Sequence, residues 1–432
     1  MYAGRVRILS GDCLLPEVHP SPFACTYLSS FRRPLVPGLR EICLSDLYEH
    51  EWTTLLLLCS TTIKIVSLSD EEGDEDGRLI GGFLHSLGCN ESHGLERLHI
   101  LTARHNHLDC ITKFHMLQDI ELSFSGETTG ALLIEGFSKL SALNRLSRLL
   151  VKWEIEYEHH PLVSPLPPPH SVNFCSLRSI DITAPSYTAL LLVQCLRVDT
   201  LRRIRIRCLP SRLHQPTTFR QVVRECGSVA PSLEEVDLDF YVRQPIGQET
   251  FDGVLDLTRR FRLQKLKFAW NGFEIDNAYI HTACLSCCFS HLEVLDLVSL
   301  GASYSPTLQV LRSLAIHCPV LKGLHMKFTV EKEHLPLLVK EMENEDPLSH
   351  GLKCLTIRLR NQPETAEIFA NKSILIISQY LDSLFPSLDL LHTFGRFQNF
   401  TFVEGIRQTL KVLQHRPAMD SRRLVGSQAP NL

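Results

Sequence analysis

Residue types that bind metal ions lie close together near the middle of the chain, as His281-x-x-Cys284-x-x-Cys287-Cys288-x-x-His291. A structural zinc site takes four such ligands, usually as two well-separated pairs on tight turns. Here the spacing is helical, so His281, Cys284 and Cys288 share one face, which merges with an apolar stripe. The run therefore favours a core helix, and we predict no metal and no cofactor.

Other spacings that could support chemistry are incomplete. In the acidic run 70–76, Asp74 and Asp76 would occupy calcium-loop positions if the loop began at Glu72, but Phe83 stands where a bidentate Glu is required. A solvated loop is the better interpretation of this run. The sequence contains no phosphate-binding loop, no Gly-x-Ser-x-Gly elbow and no His-Glu-x-x-His pair. We predict that the protein is not an enzyme and has no catalytic residues.

Charged residues alternate with apolar ones in several short segments, and the sign of the charge tends to change from one segment to the next. The candidate partner-binding residues are Arg203, Arg205, Arg207, Glu235, Asp237, Asp239, Lys265, Lys267, Asp296, His325 and Lys327. On neighbouring strands about 4.8 Å apart, opposite charges would face each other sideways. The charges then either neutralise one another, at about 0–1 kcal/mol per exposed pair, or form a charged floor that recognises a protein. The two interpretations can coexist.

The elements that position these residues are repeats of the phrase Leu-x-x-Leu-x-Leu, with Ile, Val, Phe or Met substituting freely. The phrase returns about every 29 residues, and no single unit could bury its own apolar face, so neighbours must stack. Copies begin at Leu39, Ile63, Leu95, Leu117, Leu146, Leu177, Leu201, Leu233, Leu263, Leu292, Leu321 and Leu352, with a frayed copy at Leu388.

Within each unit the Leu-x-Leu alternation predicts a short strand, and the preceding segment has helical period. The ranges 278–292 and 307–318 are two such helical segments. A proline often separates helix from strand, as in Cys318-Pro319-Val320-Leu321. The predicted fold is α/β, a leucine-rich-repeat solenoid (horseshoe) with a parallel β-sheet on the concave face and helices on the convex face. Trp153, Phe240 and Trp270 fall at strand ends, where a place at the edge of the core is favoured over a role as interface anchors.

The predicted organisation has three parts. Residues 1–38 form an N-terminal cap, 39–395 a solenoid of about 12–13 units, and 396–432 a terminal segment with a disordered tail after His415. The proline-rich stretch 159–170 is predicted to be an exposed excursion. A net charge of −4 gives no basic field for nucleic acid or membrane. The start of the chain, at Met1, has no apolar leader, so we expect a cytoplasmic or nuclear protein with reduced thiols.

The join at 318–326, Cys-Pro-x-Leu-x-x-Leu-x-Leu, and the closing passage 376–388 resemble fungal F-box/leucine-rich-repeat proteins, whose repeats are of the ribonuclease-inhibitor-like type. This resemblance implies that the repeats capture a substrate while an N-terminal F-box docks the adaptor of a cullin ubiquitin ligase. The F-box module itself is not found. Its nearest echo, at 14–18, is followed by Pro20 and Pro22, which would break the required helix.

The predicted function is non-enzymatic protein–protein recognition, as a substrate-recognition component related to F-box receptors. The alternative is a ligase-independent structural or regulatory scaffold that binds a protein partner. A cullin-ligase adaptor is a further partner if an F-box lies upstream. Nucleic acid and membrane are not expected as partners.

Overall fold

A computed structural model describes residues 5–11, 36–45, 55, 58–69, 77–89, 94–125, 130–154, 172–209, 216–240, 248–271, 275–300, 305–330, 332–359, 371–393 and 400–415. The chain divides into two compact units, Met1–Phe261 and Arg262–Leu432, which are described in turn. The acidic run 70–76, the proline-rich stretch 159–170, the F-box echo at 14–18 and the tail after His415 lie outside the described residues.

In the first unit, nine of the described strands form one parallel sheet in chain order, and β7 and β9 pair separately. The strands are β1 (Ile8–Gly11), β2 (Glu41–Leu44), β3 (Ile65–Leu68), β4 (Arg97–Ala103), β5 (Asp119–Ser125), β6 (Arg148–Glu154), β7 (Val172–Asn173), β8 (Ser179–Pro185), β9 (Leu196–Arg197), β10 (Arg203–Leu209) and β11 (Glu235–Phe240). The helices of this unit are α1 (Arg78–Gly88), α2 (His107–Ile111), α3 (Gly130–Leu140), α4 (Ser186–Cys195), α5 (Pro216–Val229) and α6 (Gln248–Arg260). Consecutive helices contact one another along the series.

The second unit repeats this arrangement with five described parallel strands, again in chain order. They are β12 (Lys265–Asn271), β13 (Val294–Leu300), β14 (Gly323–Phe328), β15 (Cys354–Leu359) and β16 (Leu390–Thr393). The helices are α7 (Asn277–Leu285), α8 (Val310–His317), α9 (Leu335–Asn344), α10 (Asn371–Leu384) and α11 (Phe400–Gln414), with a 3₁₀ turn at Lys332–His334. The predicted α/β class and parallel sheet are confirmed, and each unit is a solenoid of leucine-rich repeats.

The strands pair in the register that the repeated phrase predicts. Ile204 on β10 pairs with Ile180 on β8 and with Val236 on β11, and all three are the second apolar residue of their phrase. In the second unit Leu355 pairs with Leu391, so the frayed copy at Leu388 also supplies a strand. The apolar residues of these phrases are almost fully buried. Each one contributes about 1.5–3 kcal/mol by leaving water, and the neighbouring layer provides the surface that buries it.

One backbone carbonyl per repeat also ties each strand to the preceding one. The carbonyl of Arg178 accepts hydrogen bonds from both Arg202 N and Arg203 N, at 2.9 and 3.0 Å, at the start of β10. In the second unit the carbonyl of Lys322 accepts from Lys353 N and Cys354 N at 2.9 and 3.0 Å. The same shared acceptor occurs at most of the described strand starts, so the register is fixed at the same point in each repeat.

The prolines that separate helix from strand lie in tight turns. We predicted only that they stop the helix, and the turn is a more specific role. Leu321 N donates to the carbonyl of Cys318 at 3.1 Å, so Pro319 occupies the second position of a four-residue turn. The ring fixes the φ angle that this position requires. Leu388 N and the carbonyl of Phe385 form the same 3.1 Å bond around Pro386.

The two helical segments singled out from the sequence are shorter than predicted. The helix expected over 307–318 covers Val310–His317, and the one expected over 278–292 ends at Leu285. Beyond Leu285 the chain turns, and Cys287 has a φ of 56°, in the left-handed region that a helix cannot continue through. Cys288 and His291 therefore lie outside the helix, and the predicted shared helical face was wrong for Cys288.

The predicted placement of the strand-end aromatics in the core is confirmed. Trp153 and Trp270 are each 2% exposed, and Phe240 is fully buried. None of the described helices combines the length and hydrophobicity needed to cross a lipid bilayer.

Two buried histidines link neighbouring repeats through the same pattern of hydrogen bonds. The Nδ1 atom of His350 accepts from Leu352 N at 3.0 Å, and its Nε2 atom lies 2.7 Å from the carbonyl of Cys318 in the preceding repeat. His107 makes the equivalent contacts with Arg104 N at 3.1 Å and the carbonyl of Gly77 at 2.7 Å. Because Nδ1 accepts in both rings, the proton must be on Nε2.

Gly77, the partner of His107, could not be replaced without strain. Its φ is 68°, a left-handed conformation that only glycine adopts readily. A Cβ atom there would lie 2.6 Å from His107 Nε2. Glycine at this position therefore permits the close approach of the histidine ring.

We predict that His350→Ala lowers the free energy of unfolding by roughly 1–3 kcal/mol, because the buried backbone N–H of Leu352 loses this partner, whereas the carbonyl of Cys318 keeps Leu321 N as a donor. Urea denaturation of the full chain measures this change. His291→Ala is the matched control, since that histidine is exposed. Equal stability of the two variants would show that His350 does not couple its repeats.

Candidate functional site

The predicted charged residues of the first unit lie on the face of the sheet that points away from the core. Exposure alternates along β10, where Ile204, Ile206 and Cys208 are fully buried and the arginines between them are not. The alternation follows from the strand geometry, which directs successive side chains to opposite faces. Arg203, Arg205 and Arg207 therefore form a row along one strand.

The outer arginines of that row pair sideways with acidic residues of β11. Arg203 Nε lies 3.6 Å from Glu235 Oε2, and Arg207 Nε lies 3.6 Å from Asp239 Oδ2. In both cases the two residues are register partners on adjacent strands. The predicted self-neutralising ladder is thus present between β10 and β11.

Arg205 lies at the centre of this ladder, between two carboxylates. Its Nη1 donates to Asp181 Oδ2 on β8 at 3.5 Å, and its Nε lies 3.1 Å from Asp237 Oδ2 on β11. The side chains of Arg205, Asp181 and Asp237 are 27%, 23% and 17% exposed. Burial raises the pKa of Asp181, while the charges of Arg205 and Arg207 oppose that rise. The three groups form a half-buried acid–base–acid cluster.

The same sheet face carries further ion pairs that our sequence reasoning did not include among the site residues. Arg148 on β6 pairs with Asp119 on β5 at 3.2 Å, and Lys152 pairs with Glu121 at 2.7 Å. Each of these residues flanks an apolar position of its phrase, so the rule that selected Arg203 would also have found them. The charged face of the first unit is therefore longer than predicted.

The other five predicted site residues lie on β12 to β14 of the second unit. Lys265 is exposed, and Lys267, Asp296, His325 and Lys327 are half-buried. Lys267 pairs in register with Asp296, which pairs in register with His325. The Nδ1 atom of His325 lies 2.6 Å from the hydroxyl of Thr356 on β15.

The Cys/His run does not form a site of its own. Cys284 and Cys288 are buried in the core, whereas Cys287 is exposed. A hydrogen bond with the Cys284 thiol and burial raise the pKa of Cys318. Across the described part of the chain, no group of three or more His, Cys, Asp or Glu residues could hold a metal ion.

No protein-family model and no curated protein matches the chain. Among solved structures, the chain is similar to one described as the crystal structure of the Rad7 and Elc1 complex in yeast. That match has 15% sequence identity and a TM-score of 0.37, and it covers 76% of this chain and 71% of the other.

We predict that replacing Glu235, Asp237 and Asp239 together by Ala lowers the free energy of unfolding by roughly 1–3 kcal/mol, because Arg203 and Arg207 lose these carboxylates and Arg205 keeps only Asp181 of its two. The matched control replaces Glu249, Asp252 and Asp256, three exposed acidic residues of α6, and changes the net charge equally. Thermal unfolding of both variants measures the difference. An unchanged melting temperature in the strand variant would contradict the ladder.

A second prediction concerns pH. Because the folded pKa of Asp181 is raised above its ordinary value of 3.8, the folded protein holds this proton more tightly than the unfolded chain. The free energy of unfolding therefore falls as the pH rises from the ordinary pKa of 3.8 through the folded pKa of Asp181. Asp181→Asn cannot ionise, so it should match the native protein in acid and exceed it by up to about 1 kcal/mol at neutral pH. Urea midpoints between pH 3.5 and 7 test this, and a variant that is less stable at pH 7 would refute it.

Proposed function

We propose that this protein recognises a protein partner through the outward faces of its parallel strands and has no catalytic role. The observation that supports this most is the row of half-exposed charged side chains held in register on consecutive strands. Each exposed pair contributes only about 0–1 kcal/mol to stability, so folding alone gives little reason for so many charges. Complementary charge fixes the orientation of a partner and excludes partners of the wrong sign.

The proposed contact residues are the eleven charged and polar positions identified from the sequence. In the first unit they are Arg203, Arg205, Arg207, Glu235, Asp237 and Asp239, and in the second Lys265, Lys267, Asp296, His325 and Lys327. Their backbones belong to strands, which hold their side chains in position more firmly than loops do. Because the arginines of the first unit already face carboxylates, we do not propose nucleic acid as the partner.

The finer proposal is a substrate-recognition component related to F-box receptors of cullin ubiquitin ligases, in the cytoplasm or nucleus. It is supported by the resemblance of the phrases at 318–326 and 376–388 to F-box/leucine-rich-repeat proteins. The alternative is a scaffold that binds its partner without a ligase. If cullin-ligase subunits copurify with the full-length protein and the bound partner becomes ubiquitylated, the receptor role is favoured. A partner recovered without them favours the scaffold.

We predict that a photo-reactive phenylalanine at Arg203 or at Lys265 cross-links to a protein partner in cells, because both side chains point outward from a sheet face. The same amino acid at Arg220 on α5 or Lys340 on α9 is the matched control, since both residues are exposed on helices. Mass spectrometry of the adducts identifies the partner. Adducts that form only from the helix positions would place recognition elsewhere and refute the proposal.

A further inference from the structure

The outward face of the second unit differs in chemistry from that of the first. In the first unit, four of the five adjacent strands β5, β6, β8, β10 and β11 open with a charged residue, and β8 opens with Ser179. The charged residues are Asp119, Arg148, Arg203 and Glu235. In the second unit the residues that open β13 to β16 are uncharged. They are Val294, Gly323, Cys354 and Leu390, and they stand in register on adjacent strands. We call these four residues the apolar row.

The apolar row is open to a partner at several points. Leu390 is 52% exposed, and Val294 and Cys354 are half-buried. Gly323 has no side chain, so the surface has a shallow depression between Val294 and Cys354. A Cβ atom at Gly323 would lie 3.6 Å from Val294 Cγ2, in ordinary van der Waals contact, so a side chain there would fill the depression. Apolar side chains of a partner would lose their water there, one against Val294 and another against Leu390, which stand three strands apart.

Polar and charged residues border this row. Asp296, His325 and Thr356 lie two residues further along β13, β14 and β15, in register with Lys267 on β12. The described outward side chains of β12 to β14 include three lysines and one acidic residue. These are Lys265, Lys267 and Lys327, and Asp296. The local charge is therefore positive, although the whole chain carries −4.

A small notch at the carboxyl end of the same strands adds a third feature. Its walls are apolar, and Lys327 and Ser305 stand among them. The residues that line it are Trp270, Ile275, Leu297, Ser305, Pro306, Met326 and Lys327. The notch has room for no more than about one water molecule, so its contribution to this face is the charge of Lys327 beside apolar walls.

We infer that the face of the second unit, defined by the apolar row and by Lys265, Lys267 and Lys327, binds an acidic segment of a partner protein that also carries apolar side chains. This inference rests on the proposed function and names the partner's chemistry. Positive charge beside an apolar strip complements such a segment. A nucleic-acid backbone is matched less well, because Asp296 interrupts the basic side chains and the apolar row offers nothing to phosphates.

The test uses the full chain and two fluorescein-labelled peptides, dodecaglutamate and the same peptide with its two central residues replaced by Leu. Fluorescence anisotropy at 50 and 150 mM NaCl gives Kd for each. We expect the leucine-containing peptide to bind about tenfold more tightly, and Lys267→Glu/Lys327→Glu to weaken its binding about tenfold or more. Lys340→Glu/Lys411→Glu changes the net charge equally on exposed helix positions and should stay within about twofold.

Several results would overturn the inference. An equal loss of peptide affinity in both double variants would mean that binding depends only on the net charge of the protein. No binding of either peptide, or tighter binding of a dodecathymidylate probe that the same lysine variant abolishes, would reject an acidic protein segment. If Lys267→Glu/Lys327→Glu unfolds, as circular dichroism would show, Lys267→Gln/Lys327→Gln replaces it with the same expectations. Since cross-linking at Arg203 and Lys265 is measured separately, the proposed function can stand while this inference fails.

Discussion

Stacking is the constraint on which this molecule depends, because no repeat can bury its own leucines. The shared carbonyl at the strand starts, as at Arg178 and Lys322, converts stacking into register, since it fixes where each strand meets the preceding one. Once the register is fixed, residues at equivalent places in the phrase stand side by side about 4.8 Å apart. Each outward row of side chains then acts as one surface, whose chemistry depends on a single position repeated from strand to strand.

This register explains why the same scaffold carries two kinds of face. In the first unit, acidic and basic residues alternate from strand to strand at equivalent positions, so Arg205 lies between Asp181 and Asp237 and the charge is cancelled locally. The strand-opening positions, which hold Arg203 and Glu235 in the first unit, hold Val294, Gly323, Cys354 and Leu390 on β13 to β16. The three lysines on β12 and β14 are accompanied there by one aspartate, Asp296. A change of residue type at one repeated position is enough to turn an ion-pair ladder into a basic and apolar surface.

Much of this could be predicted from the sequence, because strand alternation and the leucine phrase are periodic. The phrase predicted the strands, their parallel order and the pairing of Arg203 with Glu235. Local backbone conformation has no period, so the end of α7, where Cys287 takes a left-handed φ, was missed. The links made by His107 and His350 were also missed, because their carbonyl partners lie in the preceding repeat at a separation that varies with loop length.

The two faces should also differ in the binding free energy that a partner can gain by contacting them. A carboxylate that approaches Arg205 must compete with Asp181 and Asp237, which are already in place and half-buried, so the net gain is small. Such a face can still exclude partners, since a misplaced charge would break an existing pair without replacing it. On the second unit, an apolar side chain that covers Leu390 gains by losing water and displaces no ion pair. Under the proposed function, the face of the second unit therefore offers a partner more affinity, and the face of the first offers more selectivity.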